Sequence, residues 1–259
     1  MIPVALTIAG SDPSGGAGIQ ADLKTFHQFR VYGEAVITLL TVQNTTRVDR
    51  VETLSPDLVI AQLLAVIEDI PPAAAKTGAL GNQALVEAVA EEAARFAFPL
   101  VVDPVMISKH GAALVSAEAR RAIAERLIPR AYLVTPNLEE AEALTGTPVR
   151  TVADMRRAAE AIVTLGARAA LVKGGHLAGI PIDVLFDGSG WHEFSGDRID
   201  TPNTHGTGCT YSAAIVAGLA HGLELRAAVA QAKRFIDEAI RTNPGLGHGS
   251  GPVNHFAST

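Results

Sequence analysis

The sequence has little of what several large protein classes require. It contains one cysteine among 259 residues, so an internal disulfide framework is impossible. No apolar run approaches the roughly 18 residues that a membrane helix needs. The formal net charge of −6 argues against the broad basic face that nucleic acid or an acidic lipid surface requires. We therefore expect a partner that is a small molecule, with no nucleic acid and no membrane.

The N-terminal segment is apolar but lacks a basic leader and a cleavage-site pattern before the first glycines. We interpret it as a buried strand and expect a cytoplasmic protein. Hydrophobic residues make up 48% of the chain, which is enough for a large core. The length suits one large α/β unit, and we expect a single domain over residues 1–259.

Short apolar runs alternate with longer segments of helical periodicity along most of the chain. The predicted strands of this part are residues 3–9, 35–40, 73–76, 100–103, 132–135 and 169–173. Residues suited to cap a helix precede four of the helical segments: Ser55, Ser116, Asn137 and Thr151. Residues 184–187 and 191–195 then flank Gly188-Ser189-Gly190, which predicts a hairpin. This order predicts an α/β fold whose central, mostly parallel sheet has helices on both faces.

Ligands of such sheets bind where the carboxyl ends of the parallel strands meet. The segments that follow the predicted strands are Gly10-Ser11-Asp12, Thr41-Val42-Gln43-Asn44, Lys76-Thr77-Gly78, Asp103-Pro104, Thr135-Pro136-Asn137 and Lys173-Gly174-Gly175-His176. Most of these residues are polar, charged or glycine, whereas the strands themselves are apolar. We therefore expect the functional site at this edge.

The glycine-rich loop 10–18 matches two nucleotide-binding motifs incompletely. Lys24-Thr25 lies inside the following helix, so the loop is not a Walker A motif. Gly16-x-Gly18-x-x-Ala21 fits a dinucleotide fingerprint, but the next strand ends in Gln43-Asn44 instead of an acidic residue. Three interpretations stay open: an NAD site, a tight turn that brings backbone close to a helix, or backbone packed against a flat substrate.

The loop Asn203-Thr204-His205-Gly206-Thr207-Gly208-Cys209 precedes a long apolar helix and is the most specific chemical signal. Backbone N–H groups of such a glycine loop point into one concavity, and the helix dipole adds roughly half a positive charge there. This favours phosphoryl transfer, in which the protein mainly stabilises an anionic transition state. A lone cysteine is often only a small buried apolar residue. At the first helical turn, however, we expect Cys209 to have a lowered pKa and to accept a proton.

Four further residues suit ATP or Mg²⁺. Asn137 and Glu140 have the spacing of a capping box, which is a purely structural role. Glu140 and Asp103 also offer the oxygen ligands that Mg²⁺ prefers, and the two roles are compatible. Lys173, at the end of an apolar strand, is placed to reach a phosphate.

Six segments together resemble the hydroxymethylpyrimidine/phosphomethylpyrimidine kinases of thiamine biosynthesis, which belong to the ribokinase-like superfamily. They are residues 15–26, Gln43-Asn44-Thr45, Thr135-Pro136-Asn137, Lys173–His176, Asn203–Cys209 and Gly247–Val253. The resemblance runs from Leu6 to Phe256. It implies a ribokinase-like three-layer α/β sandwich with a minimal lid, and a homodimer.

The resemblance also implies a reaction and a set of site residues. With ATP and Mg²⁺, such an enzyme phosphorylates the hydroxymethyl group of an aminopyrimidine and then the resulting monophosphate. Cys209 would take the hydroxyl proton, and Gly206, Thr207 and Gly208 would bind the transferring phosphoryl group. The implied substrate residues are Gly10, Asp22, Gln43, Ala79 and Val105. The implied ATP residues are Thr135, Asn137 and Lys173, and the implied metal ligands are Asp103 and Glu140.

Gln43 favours an aminopyrimidine over pyridoxal or pyridoxine, the substrates of vitamin B6 kinases that share the cysteine. An amide can pair with both a ring nitrogen and its neighbouring exocyclic amine, and pyridoxal lacks that amine. Ala79 departs from the methionine of many relatives, so we expect a roomier pocket that Leu80 compensates. Two alternatives of another class remain: an NAD-dependent oxidoreductase and a non-catalytic ligand-binding regulator.

Overall fold

The computed structural model describes residues 2–106, 116–175, 177 and 179–259. Within them, nine strands form one sheet in the order β3-β2-β1-β4-β5-β6-β7-β8-β9. The strands are β1 (Val4–Ser11), β2 (Tyr32–Gln43), β3 (Val48–Thr53), β4 (Ala74–Thr77), β5 (Leu100–Val102), β6 (Leu133–Val134), β7 (Ala170–Val172), β8 (Ile182–Phe186) and β9 (Trp191–Ser195). Six neighbouring strands run parallel, in the order β2-β1-β4-β5-β6-β7. At the two edges of the sheet, β3, β8 and β9 pair antiparallel. The predicted mostly parallel sheet is confirmed.

Eight α-helices connect these strands, counted over the described residues. They are α1 (Gly18–Gln28), α2 (Pro56–Asp69), α3 (Gln83–Ala93), α4 (Ala117–Ala122), α5 (Leu138–Thr145), α6 (Val152–Thr164), α7 (Thr207–Ala220) and α8 (Leu225–Arg241). A π-helical turn and a 3₁₀ turn continue α4 to residue 130. The four predicted caps are confirmed, because the side chains of Ser55, Ser116, Asn137 and Thr151 each accept a backbone N–H of the following helix. None of the described helices is long and apolar enough to cross a membrane.

Helices cover both faces of the sheet because successive strand residues point to opposite sides. One core packs beneath α2–α6 and includes Leu6, Ala75, Val102, Val134, Val172 and Val184. A second core packs beneath α1, α7 and α8 and includes the neighbouring residues Ala5, Ala74, Val101, Leu133, Leu171 and Leu185. Strands buried on both faces read as continuous apolar runs, which explains why the sequence predicts them well.

The edge formed by β2 and β3 differs from the sequence prediction. The predicted strand 35–40 extends to Tyr32–Gln43, and β3, which was not predicted, pairs with its second half. All residues of β3 after Val48 are exposed, so the strand has no alternation of buried and exposed positions to reveal it. The hairpin carries Gln43 to its turn, beyond the part of β2 that pairs with β1.

Candidate active site

The parallel strands bring the predicted site residues to one edge, as expected. Gly10 is the second-last residue of β1, Gln43 is the last residue of β2, and Asp103 directly follows β5. Thr135 follows β6, and Lys173 follows β7. The motif that starts at Lys173 ends in His176, which lies outside the described residues.

One part of the edge gathers charged groups around the start of α7. Lys173 Nζ lies 3.2 Å from Asp103 Oδ1, and the Thr135 hydroxyl donates to the same oxygen at 3.4 Å. Ser212 of α7 donates to Asp103 Oδ2 at 3.1 Å. A methyl group on Gly208 would lie 3.4 Å from Lys173 Nζ and 3.7 Å from Asp103 Oδ2. The glycine loop, the lysine and the carboxylate therefore share one space.

Glu140 combines a structural role with a position next to this charge cluster. Its Oε2 accepts the Asn137 N–H at 2.8 Å, and Asn137 Oδ1 accepts the Glu140 N–H at 2.9 Å, which is the predicted capping box. Burial raises the pKa of Glu140 to about 7; Lys173 opposes this rise and Asp103 adds to it. Two buried carboxylates that repel each other are chemically suited to bind a divalent cation, and such a cation can also bind a phosphate.

The glycine loop has a backbone that only glycine adopts easily. Gly206 precedes α7 with φ 76°, and a side chain there would overlap the carbonyl oxygen of Gly16. The Thr207 N–H and hydroxyl both donate hydrogen bonds to the Thr204 carbonyl, at 3.3 and 2.8 Å. Gly208 and Cys209 lie in the first turn of α7, whose N–H groups have no preceding turn to bond to. The N–H groups of Gly208 and Cys209 are therefore available to an anion.

The pKa of Cys209 contradicts the sequence prediction. Burial raises the pKa of the thiol to about 11, although the charge of Lys76 and a backbone hydrogen bond from Gly18 work in the opposite direction. Asp22 and Asp103 add to the rise. Desolvation is therefore the largest influence on the pKa of the thiol. Cys209 as a whole residue is partly exposed.

Asp22 forms a buried ion pair next to the start of α7. The side chain is 0% exposed. One oxygen accepts Lys76 Nζ at 2.7 Å, and the other accepts the Thr7 hydroxyl at 2.6 Å. Both oxygens thus have protein partners, and the implied contact between Asp22 and substrate stays a prediction. Lys76 also donates to the backbone carbonyl of Cys209 at 3.3 Å.

A second buried pair connects the two glycine loops. His205 Nε2 lies 2.8 Å from Asp12 Oδ2. Asp12 also accepts the N–H groups of Ser14 and Ala17, at 2.8 and 2.9 Å. Although burial opposes it, hydrogen bonds from His205, Gln43 and Ser14 hold the pKa of Asp12 well below its usual value. The loop 10–18 is therefore a packed turn that supports the site.

The C-terminal segment 247–253 joins the Gln43 hairpin to the glycine loop of α7. Thr45 accepts the Ser250 N–H at 2.8 Å through its carbonyl, and Asn203 Oδ1 accepts the Gly251 N–H at 3.1 Å. The His205 N–H donates to the Gly251 carbonyl at 3.0 Å. The sequence singles out this segment only through the family resemblance, and the structure gives it a physical role.

The remaining implied substrate residues contribute mainly backbone or small apolar surface. Gly10 is buried, and a methyl group on it would lie 2.5 Å from Leu39 Cδ1. Ala79 and Val105 are partly exposed, and Ala79 uses its carbonyl to accept the Thr38 hydroxyl at 2.6 Å. Leu80 is 2% exposed and packs in the core, and its compensation for the small Ala79 stays a prediction.

Comparison with known proteins identifies the family. A family model described as phosphomethylpyrimidine kinase matches residues 12–254. The chain belongs to this family. Its members are phosphotransferases, so the NAD-dependent oxidoreductase and the non-catalytic regulator are wrong. Gly16 and Gly18 instead allow close packing, since side chains on them would overlap His205 and the Gly10 carbonyl.

Relatives match over the whole of this chain. Hydroxymethylpyrimidine/phosphomethylpyrimidine kinase from Rhizobium meliloti is 49% identical over 260 residues, covering 99% of this chain and 98% of the relative. The thiamine biosynthesis bifunctional protein of Geobacter sulfurreducens is 50% identical over 253 residues. This match covers 97% of this chain but only 52% of the bifunctional protein.

Solved structures share the ribokinase-like α/β fold of this family. The ADP complex of Bacillus subtilis pyridoxal kinase has a TM-score of 0.93 and 40% identity, covering 99% of this chain and 98% of that chain. Phosphomethylpyrimidine kinase from Clostridium difficile has a TM-score of 0.83 and 44% identity, covering 92% and 99%. Neighbours complexed with ADP and with AMP-PCP are consistent with ATP as the phosphate donor.

Proposed function

We propose that this kinase uses ATP to phosphorylate 4-amino-5-hydroxymethyl-2-methylpyrimidine and then its monophosphate, giving the diphosphate for thiamine biosynthesis. One observation carries the proposal. The glycine loop that carries Cys209 lies next to the Lys173–Asp103 pair, and segment 247–253 joins this loop to the hairpin whose turn holds Gln43. The names of the relatives point to the same substrate and pathway.

In the first step, the thiolate of Cys209 takes the proton of the hydroxymethyl group as the hydroxyl oxygen attacks the γ-phosphorus. ADP leaves, and the phosphoryl oxygens are held by N–H groups of the loop that includes Gly206, Thr207 and Gly208. Because its pKa is raised to about 11, the thiol is neutral at rest and must first lose its proton to solvent before it can act as the base. The second step has a phosphate oxygen as nucleophile, which is largely ionised at pH 7 and needs no base.

Lys173, Asn137 and Thr135 serve ATP in this proposal. Asp103 and Glu140 would hold Mg²⁺ together with the phosphates, and the ion would neutralise charge on the oxygens being transferred. The two carboxylates fit such an ion, because their mutual repulsion within a buried site is relieved by a cation. Their number also fits, since Mg²⁺ is usually bound by one or two carboxylates plus substrate phosphates.

Substrate recognition rests on Gln43, with Gly10, Ala79 and Val105 around it. Gln43 lies near enough to Asp12 to lower the pKa of that carboxyl. The amide oxygen and N–H groups of Gln43 suit the exocyclic amine and a ring nitrogen of the pyrimidine. Asp22 acts next to the start of α7 through Lys76.

Pyridoxal or pyridoxine is the second candidate substrate. The TM-score of 0.93 with a pyridoxal kinase favours it. Parallel assays with ATP and Mg²⁺ on hydroxymethylpyrimidine, its monophosphate and pyridoxal, with products identified by mass, decide between the two. Turnover of pyridoxal alone would contradict the pyrimidine proposal, and a diphosphate formed from the monophosphate would support both steps.

We also propose a cytoplasmic homodimer. Leu40 and Val42 project from the same face of β2 and are 46% and 54% exposed, which gives an apolar surface suited to a second copy. Light scattering of the purified protein measures the mass of the assembly and so tests the dimer. A Leu40→Glu variant that is still a dimer would exclude this surface as the interface.

A further inference from the structure

Lys76 is a buried charged residue that takes no part in the reaction steps above. It is 0% exposed, and its Nζ pairs with Asp22, also 0% exposed, at 2.7 Å. Burying such a pair costs so much desolvation that well-packed apolar side chains are often equally stable. A fold that keeps the pair at the end of β4, next to the reaction centre, suggests a role beyond packing.

The contact that gives Lys76 this role is with the first turn of α7. Lys76 Nζ donates to the Cys209 carbonyl at 3.3 Å, so the ammonium lies beneath the residue that carries the thiol. Four charged groups act on the thiol: Lys76 and Lys173 favour the thiolate, whereas Asp22 and Asp103 oppose it. Lys76 has the largest effect among the charges that act on the pKa of Cys209.

We propose that Lys76 is a positioning residue that acts through Cys209: its ammonium holds the first turn of α7 and favours the thiolate. Asp22 holds the ammonium in place and reduces its effect on the thiol. The inference rests on the proposed proton-accepting role of Cys209. It explains why the fully buried pair of Asp22 and Lys76 adjoins the catalytic loop.

The proposal predicts changes of opposite sign for the two partners. Cys209 is the only cysteine of the chain and is partly exposed, so its alkylation by iodoacetamide, followed by intact mass, reports this thiolate alone. We expect Lys76→Met to slow alkylation at fixed pH by about tenfold or more, since one pKa unit changes the thiolate population tenfold. Asp22→Asn should speed it. Unchanged rates, or changes of the same sign, would overturn the proposal.

The double variant Asp22→Asn/Lys76→Met keeps the test valid if Lys76→Met does not fold, because no buried charge is left unpaired. It differs from Asp22→Asn only in the ammonium, so it must be alkylated more slowly than that variant. Lys233→Met is the matched control. It also removes a lysine that is 8% exposed and paired with two aspartates, at 3.3 and 3.1 Å, and should leave the alkylation profile unchanged.

Kinase assays on the same variants separate this inference from the proposed function. We expect Lys76→Met to lower kcat for hydroxymethylpyrimidine with little change in KM, and the slope of kcat/KM against pH to follow the alkylation profile. Normal turnover by Cys209→Ala would overturn the proton-accepting role itself. Alkylation rates that are the same in Lys76→Met and the wild type would overturn only the link between Lys76 and the thiol.

Discussion

Breaking the Asp12–His205 pair should loosen the contact between the two glycine loops. A hydrogen bond to a charged group contributes about 1.5–3 kcal/mol. In His205→Ala the Asp12 carboxylate keeps the N–H groups of Ser14 and Ala17, so it is not left unpaired. We therefore expect a loss of about 1–3 kcal/mol in the free energy of unfolding. Because His205 adjoins Gly206, kcat should fall together with stability.

Urea denaturation of the wild type, His205→Ala, Asp12→Asn and the double variant measures the pair directly. The coupling energy from this cycle should be about 1 kcal/mol or more. The pKa of Asp12 is lowered in the folded state, so its contribution is complete above the ordinary value of about 3.9 and is lost as the pH falls below it. The coupling should therefore be present at pH 7 and shrink below pH 4. A coupling near zero at pH 7, or one that grows in acid, would refute the reasoning.

Further predictions concern the reaction and the glycine loop. Cys209→Ala should lower kcat for the alcohol by ~10²-fold or more, as for a lost general base, and affect the monophosphate less; equal losses in both steps would contradict the base. In the wild type, kcat/KM for the alcohol should rise with pH from 7 towards 10, because the pKa of Cys209 is raised to about 11; a plateau near neutral pH would contradict this. Gln43→Ala should raise the KM of the pyrimidine and leave that of ATP unchanged. Gly206→Ala should abolish activity, because a methyl group overlaps the Gly16 carbonyl, whereas Gly146→Ala, at φ 70° with nothing within 4 Å, should cost only about 1 kcal/mol, measured by denaturation.

Much of the fold could be predicted from local patterns. The strands buried on both faces read as short apolar runs, and the four helix caps are visible as single polar residues before each helix. The strand ends place Asp103, Thr135 and Lys173 together because parallel strands share an edge. β3 escaped prediction because an exposed edge strand has no burial pattern, only the exposed residues of a hairpin.

The sequence by itself determined the α/β layering, the edge that carries the site and the glycine loop before Cys209, because each depends on residues close together in the chain. Only the tertiary structure decided how charges meet within that edge. Asp22 and Lys76 are 54 residues apart, and Asp12 and His205 are 193 apart. The first pairing places the fully buried Asp22 beside Lys76, next to Cys209. Burial also reversed the expected pKa of Cys209, because desolvation depends on the whole surrounding fold and not on the helix that carries the thiol.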